Sequence, residues 1–279
     1  MANEFGTGAP RTLESPLGVF RGAHAPAVIT LLLGLLGASV AAWAFVVWMG
    51  AGMTSAMLLA SVSTVGGFAL FLAIWMVMMV AMMFPAAAPM AQAYSALSAR
   101  PDDRPPLRGA LMSVFLTTYI GVWTAIGVAV AIAYLLLAPE LSVLVGTGTL
   151  GVGVAGGVLI AAGVYQTTPL KQTCLRGCRT PVSFLLTDWR PGFRGALRLG
   201  ARHAAFCVGC CWLLFAVLFA VGLMALPWMA LIALMIFIEK LIPGKTGFRV
   251  SAGLGGALAL IGIGFLLVPS VGAWALGLS

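Results

Sequence analysis

An all-α, polytopic transmembrane bundle is the fold class this sequence predicts, and three observations predict it. The 279 residues carry 15 Lys and Arg against 7 Asp and Glu, so charged residues are 8% of the chain. A soluble globular protein has about 25%. Hydrophobic residues make up 62%, mean hydropathy is +1.10, and the apolar residues gather in runs of span length. So few charges could not cover the surface of a soluble domain of this size. Composition thus excludes a soluble enzyme, a disordered chain and a secreted disulfide scaffold. The net charge of +8 would suggest nucleic acid in a soluble protein. In a membrane protein it marks cytoplasmic loops instead, so no nucleic-acid partner is expected.

The elements follow in order. Residues 1–26 form a polar, Gly/Pro/Ala-rich tail that ends near His24. The apolar run behind it continues for a full span rather than stopping at a short cleavable core, so the tail does not resemble a signal peptide. A bilayer span needs about 20 apolar residues. Seven runs qualify, at 27–49, 66–92, 110–138, 147–166, 200–225, 227–242 and 250–277, and they form a single domain over 27–279. The uncharged, Ala/Ser/Thr-rich segment 50–65 suits a turn or a short surface helix. Pro85 and Pro89 fall inside the second run, where each removes a backbone donor and leaves a carbonyl for a neighbour to satisfy. The fourth run is Gly-rich, which suits close helix approach. A basic, cysteine-containing loop at 167–199 leads to the fifth. Pro227 stands in the first turn of the sixth, where proline is tolerated.

The basic residues set the orientation. Arg11 and Arg21 lie in the tail, and Arg100, Arg104 and Arg108 follow the second run. Lys171, Arg176, Arg179, Arg190, Arg194, Arg198 and Arg202 follow the fourth, and Lys240, Lys245 and Arg249 follow the sixth. These are all 15 of the Lys and Arg residues. Basic loops face the cytoplasm. The N-terminus is therefore expected inside and the C-terminus outside, in a multi-pass protein of the bacterial inner (cytoplasmic) membrane.

The side chains able to do chemistry are mostly sulfur. The fifth span opens RHAAFCVGCCW, and at 100° per residue His203, Cys207, Cys210 and Cys211 fall within an arc of about 100°. Cysteine also packs as a small hydrophobe, but three within five residues, one turn after a histidine, form a ligand-like cluster. Upstream, YQTTPLKQTCLRGCR places Cys174 and Cys178 four apart, on one side of a helix. Cytosolic thiols stay reduced, so metal binding or redox chemistry is favoured there over a structural disulfide. Lys171, Arg176 and Arg179 beside them would favour thiolates. In the second span Met76, Met79, Met83 and Met90 form one helical stripe, a pattern that serves packing as readily as ligation. Glu239 is the one acidic residue inside a predicted span. It is open to an ion pair with Lys240 or a loop arginine, or to a role as a ligand. With the predicted orientation, all of these groups fall in the cytoplasmic half of the bundle.

Thiolate, thioether and imidazole together select Cu(I). Thiolates with His also suit zinc or an iron–sulfur centre, and the thioethers tip the balance to copper. No G-x-x-x-x-G-K-[ST] loop is present for an ATP-driven pump. No membrane-embedded carboxylate cluster is present for Mg²⁺, Mn²⁺ or di-iron.

Three blocks carry a resemblance: WMVMMVAMMFPAAAPM at 75–90, YQTTPLKQTCLRGCRTP at 165–181, and CVGCCWLLFAVLFAVGLMALPWM with the downstream EK at 207–240. Taken in order, they resemble the prokaryotic family of metal-binding integral membrane proteins, a domain of unknown function sometimes labelled copper chaperone. The resemblance runs from the second span through the sixth. It implies metal binding at Cys174, Cys178, Cys207, Cys210 and Cys211.

The expected function is soft-metal binding through Cys174, Cys178, His203, Cys207, Cys210, Cys211, Met79, Met83 and Glu239, for copper trafficking or delivery to a client. One alternative is a subunit of a membrane copper-dependent oxidase or oxygenase, with partner subunits. Another is a thiol or quinone oxidoreductase built on the C-x-x-C of Cys207 and Cys210. The bilayer is the one partner that every reading requires.

Overall fold

The computed structural model describes residues 25–98, 105–145 and 148–276. The tail with Arg11, Arg21 and His24, the loop residues Arg100 and Arg104, and the C-terminal residue Ser279 lie outside the described residues. The helices are α1 (Ala25–Gly50), α2 (Ser55–Ser61), α3 (Val65–Ser98), α4 (Pro105–Val145), α5 (Gly148–Tyr165) and α6 (Pro169–Arg179). They continue as α7 (Pro181–Asp188), α8 (Gly192–Val221), α9 (Leu226–Leu241), α10 (Gly244–Leu267) and α11 (Pro269–Ala275). The described residues are all-α, as expected, and α2 is the short helix anticipated in segment 50–65.

The seven expected spans are matched in part. Among the described residues, five helices are long and apolar enough to cross a bilayer by themselves, namely α1, α3, α4, α8 and α10. A sixth crossing arises if α5 and α6, bent by 65° at their junction, are taken as one. The sixth run forms the shortest of the expected spans. α9 is 16 residues long, about 24 Å at 1.5 Å per residue, which is shorter than a hydrocarbon core of roughly 30 Å.

Two local devices hold the bundle together. The first concerns the prolines. α3 runs unbroken for 34 residues through Pro85 and Pro89, although Pro85 has no N–H to give the carbonyl of Ala81. Ser39 of α1 supplies the missing donor, its Oγ lying 2.8 Å from the Ala81 carbonyl oxygen. The second is a glycine contact between α5 and α10. A Cβ at Gly163 would lie 2.4 Å from the Gly255 carbonyl oxygen, and one at Gly262 would lie 2.6 Å from that of Gly156. These helices meet backbone to backbone, as small residues allow in a membrane bundle.

α6 is the element that matters most for the site. Thr168 caps it by accepting from the Lys171 N–H at 3.3 Å, and Pro169 occupies its first turn, both of which are helix-start signals. Its buried residues are Lys171, Leu175 and Cys178, spaced as one helical face. That face packs on α8, whose own buried stripe includes Leu199, His203, Cys207, Cys210, Cys211 and Leu214. α4 flanks α8 on another side, and α9 packs against α3, α6 and α8. α7 is tied to α8 by an ion pair between Asp188 and Arg202.

Candidate metal centre

Cys207, fully buried in α8, is the hub of the sulfur cluster. Lys240 of α9 donates to its Sγ at 3.0 Å. The Tyr119 hydroxyl of α4 lies 3.1 Å away, and the Met83 thioether of α3 lies 3.8 Å away. Cys178 of α6 and Cys210 and Cys211 of α8 are buried in the same core cluster. Three helices beyond α8, namely α3, α4 and α9, therefore converge on one atom.

The donor set is of the kind that suits a soft ion. With metal–sulfur bonds of about 2.3 Å, a trigonal site separates its sulfurs by about 4 Å. The Cys207–Met83 separation of 3.8 Å is close to that. Cys210 and Cys211 instead donate back to the Cys207 carbonyl, at 3.1 and 2.8 Å. Accordingly, no three Cys, His, Asp or Glu side chains among the described residues converge as a finished ligand set.

The remaining candidates surround this hub unevenly. Cys174 is partly exposed, and a Cβ on Gly209 would lie 2.6 Å from its sulfur. Gly209 is thus what lets α6 lie against α8, and its carbonyl accepts from the Tyr165 hydroxyl. His203 is buried one turn before Cys207, stacked on Phe115 and Tyr119 with Phe184 at its edge. Among the described residues neither of its ring nitrogens has a hydrogen-bond partner. Met79 is fully buried one turn along α3 from Met83, whereas Met76 is 37% exposed and leaves the stripe.

Glu239 is not paired with its neighbour Lys240. Its Oε2 accepts from Lys171 at 2.7 Å, with both side chains at 2% exposure or less. Arg179 donates to the Glu239 carbonyl at 2.6 Å and reaches the Gly247 carbonyl at 3.2 Å. Adjacent helical residues point about 100° apart and do not face each other, so Glu239 and Lys240 take separate partners. The positive charge beside the thiols therefore comes from Lys240. Lys171 and Arg179, expected to favour thiolates, are directed to Glu239, and Arg176 is exposed.

The residues missed from sequence are Lys240, Tyr119 and Gly209. The EK pair carried a usable signal, since two adjacent ionisable groups within a helix need two different partners. Tyr119 carried none, because one tyrosine in an apolar span looks like packing.

The convergence of cysteines, methionine and a buried lysine coincides with a known family. A family model described as a copper chaperone, PpoB2, matches residues 72–265, well over half of the chain. The chain belongs to this family. The PpoB2 region starts in α3 and ends in α10, so it holds every candidate ligand and omits α1 and α2. No curated protein and no solved structure matches the chain.

Proposed function

We propose that this protein binds Cu(I) in the membrane and hands it to a client. The observation that carries the proposal is the four-thiol, one-thioether cluster centred on Cys207, in a chain of the copper chaperone family. Cys174 is the partly exposed thiol at the cluster's edge and would receive the ion. Cys178, Cys207, Cys210, Cys211 and Met83 would hold it, with Met79 and His203 as neighbours and Glu239 keeping α6 docked. The charge-poor interior supports copper over zinc, because one positive charge needs fewer thiolates to balance it than two.

The surroundings favour holding over conduction. Beyond Met79, the rings of Trp75, Trp123, Phe215 and Phe219 pack together, Trp75 and Phe219 stacked and the other pairs tilted. They line an apolar cavity of about 300 Å³ that offers no soft ligand.

The proposed orientation puts the N-terminus and the cysteine site on the cytoplasmic side of the inner membrane. Connectivity supports seven crossings, because α8 and α10 both begin beside basic residues, so α9 has to return between them. Reporters fused at Ser279 and in 139–146 should read as outside; a cytoplasmic signal from either sinks this orientation.

The metal is tested by elemental analysis after copper-replete expression. Wild type should carry about one or more Cu per chain, and the Cys207/Cys210/Cys211 triple serine variant should carry background. A wild-type protein without copper defeats the proposal.

A further inference from the structure

Two groups that are not metal ligands point at the central sulfur. Lys240 Nζ and Tyr119 Oη both lie within hydrogen-bond distance of Cys207 Sγ, at 3.0 and 3.1 Å. All three residues are buried, Tyr119 and Cys207 completely and Lys240 at 5% exposure. A buried ammonium is costly unless it is paired. The Cys207 sulfur is its partner here, since the Glu239 carboxylate is taken by Lys171. With a thiolate at Cys207, the Tyr119 hydroxyl donates as well. Sulfur has lone pairs enough to accept both bonds and still face Met83.

Donors on a metal-bound thiolate have a definite electronic effect. They draw electron density from the sulfur, so the sulfur stabilises a higher metal charge less well, and the potential rises. A fixed positive charge beside the site acts in the same direction, disfavouring Cu(II) more than Cu(I). The two groups belong to different helices, α9 and α4, and approach one atom. Packing alone does not require that of a lysine, which could otherwise extend toward the helix end and water.

We infer that Lys240 and Tyr119 are positioning residues that set the oxidation state of the cargo, holding bound copper as Cu(I) through their donation to Cys207. The inference rests on the copper reading above. It adds what that reading lacks, namely the reason copper would remain transferable. Cu(I) exchanges among thiols and thioethers, whereas Cu(II) prefers nitrogen and oxygen ligands.

The test is a redox titration of the copper-loaded, detergent-solubilised full chain, followed by the Cu(II) electron paramagnetic resonance signal. Wild type is set beside Lys240→Met, Lys240→Arg and Tyr119→Phe, each with its copper content measured. Lys240→Met and Tyr119→Phe are expected to shift the Cu(II):Cu(I) ratio at a fixed potential at least tenfold toward Cu(II), about 59 mV for one electron. Lys240→Arg keeps a charged N–H donor and should remain near wild type. Full copper content with an unchanged potential in Lys240→Met overturns the inference and leaves the copper reading standing. Should Lys240→Met fail to fold or to load, Tyr119→Phe decides, because it removes one hydroxyl from a buried ring, and an unchanged potential there overturns the inference equally. Absence of copper from the wild type defeats the copper reading instead.

Discussion

Cys207→Ser is expected to lower bound copper at least tenfold, to near background, while Cys210→Ser and Cys211→Ser each leave a substantial fraction. The asymmetry follows from geometry. Cys207 Sγ is the atom that Met83, Lys240 and Tyr119 share. A serine oxygen is a poor ligand for a soft ion. Cys210 and Cys211 both turn toward the same backbone carbonyl, so either can stand in for the other as a second thiolate. Cys174→Ser is expected to keep the copper content and slow its uptake, since that sulfur lies at the partly exposed edge. Copper per chain after purification, with a competing chelator to rank affinity, checks the series. Wild-type copper in Cys207→Ser would falsify the central role of this sulfur.

The second large effect is on stability. Glu239→Gln should cost about 3–5 kcal/mol, because it leaves the Lys171 ammonium buried without its counter-charge. Lys171 has no exposed surface to retreat to. Replacing both members, as Lys171→Met with Glu239→Leu, should recover most of that loss, since exchanging a buried ion pair for apolar groups is often neutral or stabilising. The pair also docks α6 on α9, with Arg179 adding its bond to the Glu239 carbonyl. Glu239→Gln should therefore loosen the face that carries Cys178 and speed maleimide labelling of Cys174. Thermal unfolding in detergent, run as a double-mutant cycle, measures the coupling. A single variant as stable as wild type would show that Lys171 finds another partner.

Much of the fold was legible because the bilayer imposes its rule residue by residue. Long apolar runs must be helices, since lipid satisfies no backbone group. Pro85 implied a donor from a neighbour, and Ser39 supplies it. The glycines of the fourth run implied close packing, and Gly163 meets Gly255 backbone to backbone. The sixth run, at 227–242, was already the shortest in the sequence, and α9 has the same length of 16 residues.

The site was half legible. Helical periodicity put His203, Cys207, Cys210 and Cys211 on one buried face, and Cys174 and Cys178 on one side of α6, as angles along a single helix require. Composition alone pointed to sulfur as the expected ligand, since the bundle has almost no acids to offer. Which of these groups meet was decided only by packing between helices. Met83 reaches Cys207 and Met76 faces outward, although both lie on one stripe. Lys240 turns to the thiol, and Glu239 turns to a lysine 68 residues away. The physical reason is that periodicity fixes direction about one helix axis, whereas a shared ligand atom depends on the distance and rotation between axes. Those are set by contacts such as Gly209 against Cys174, which no single helix encodes.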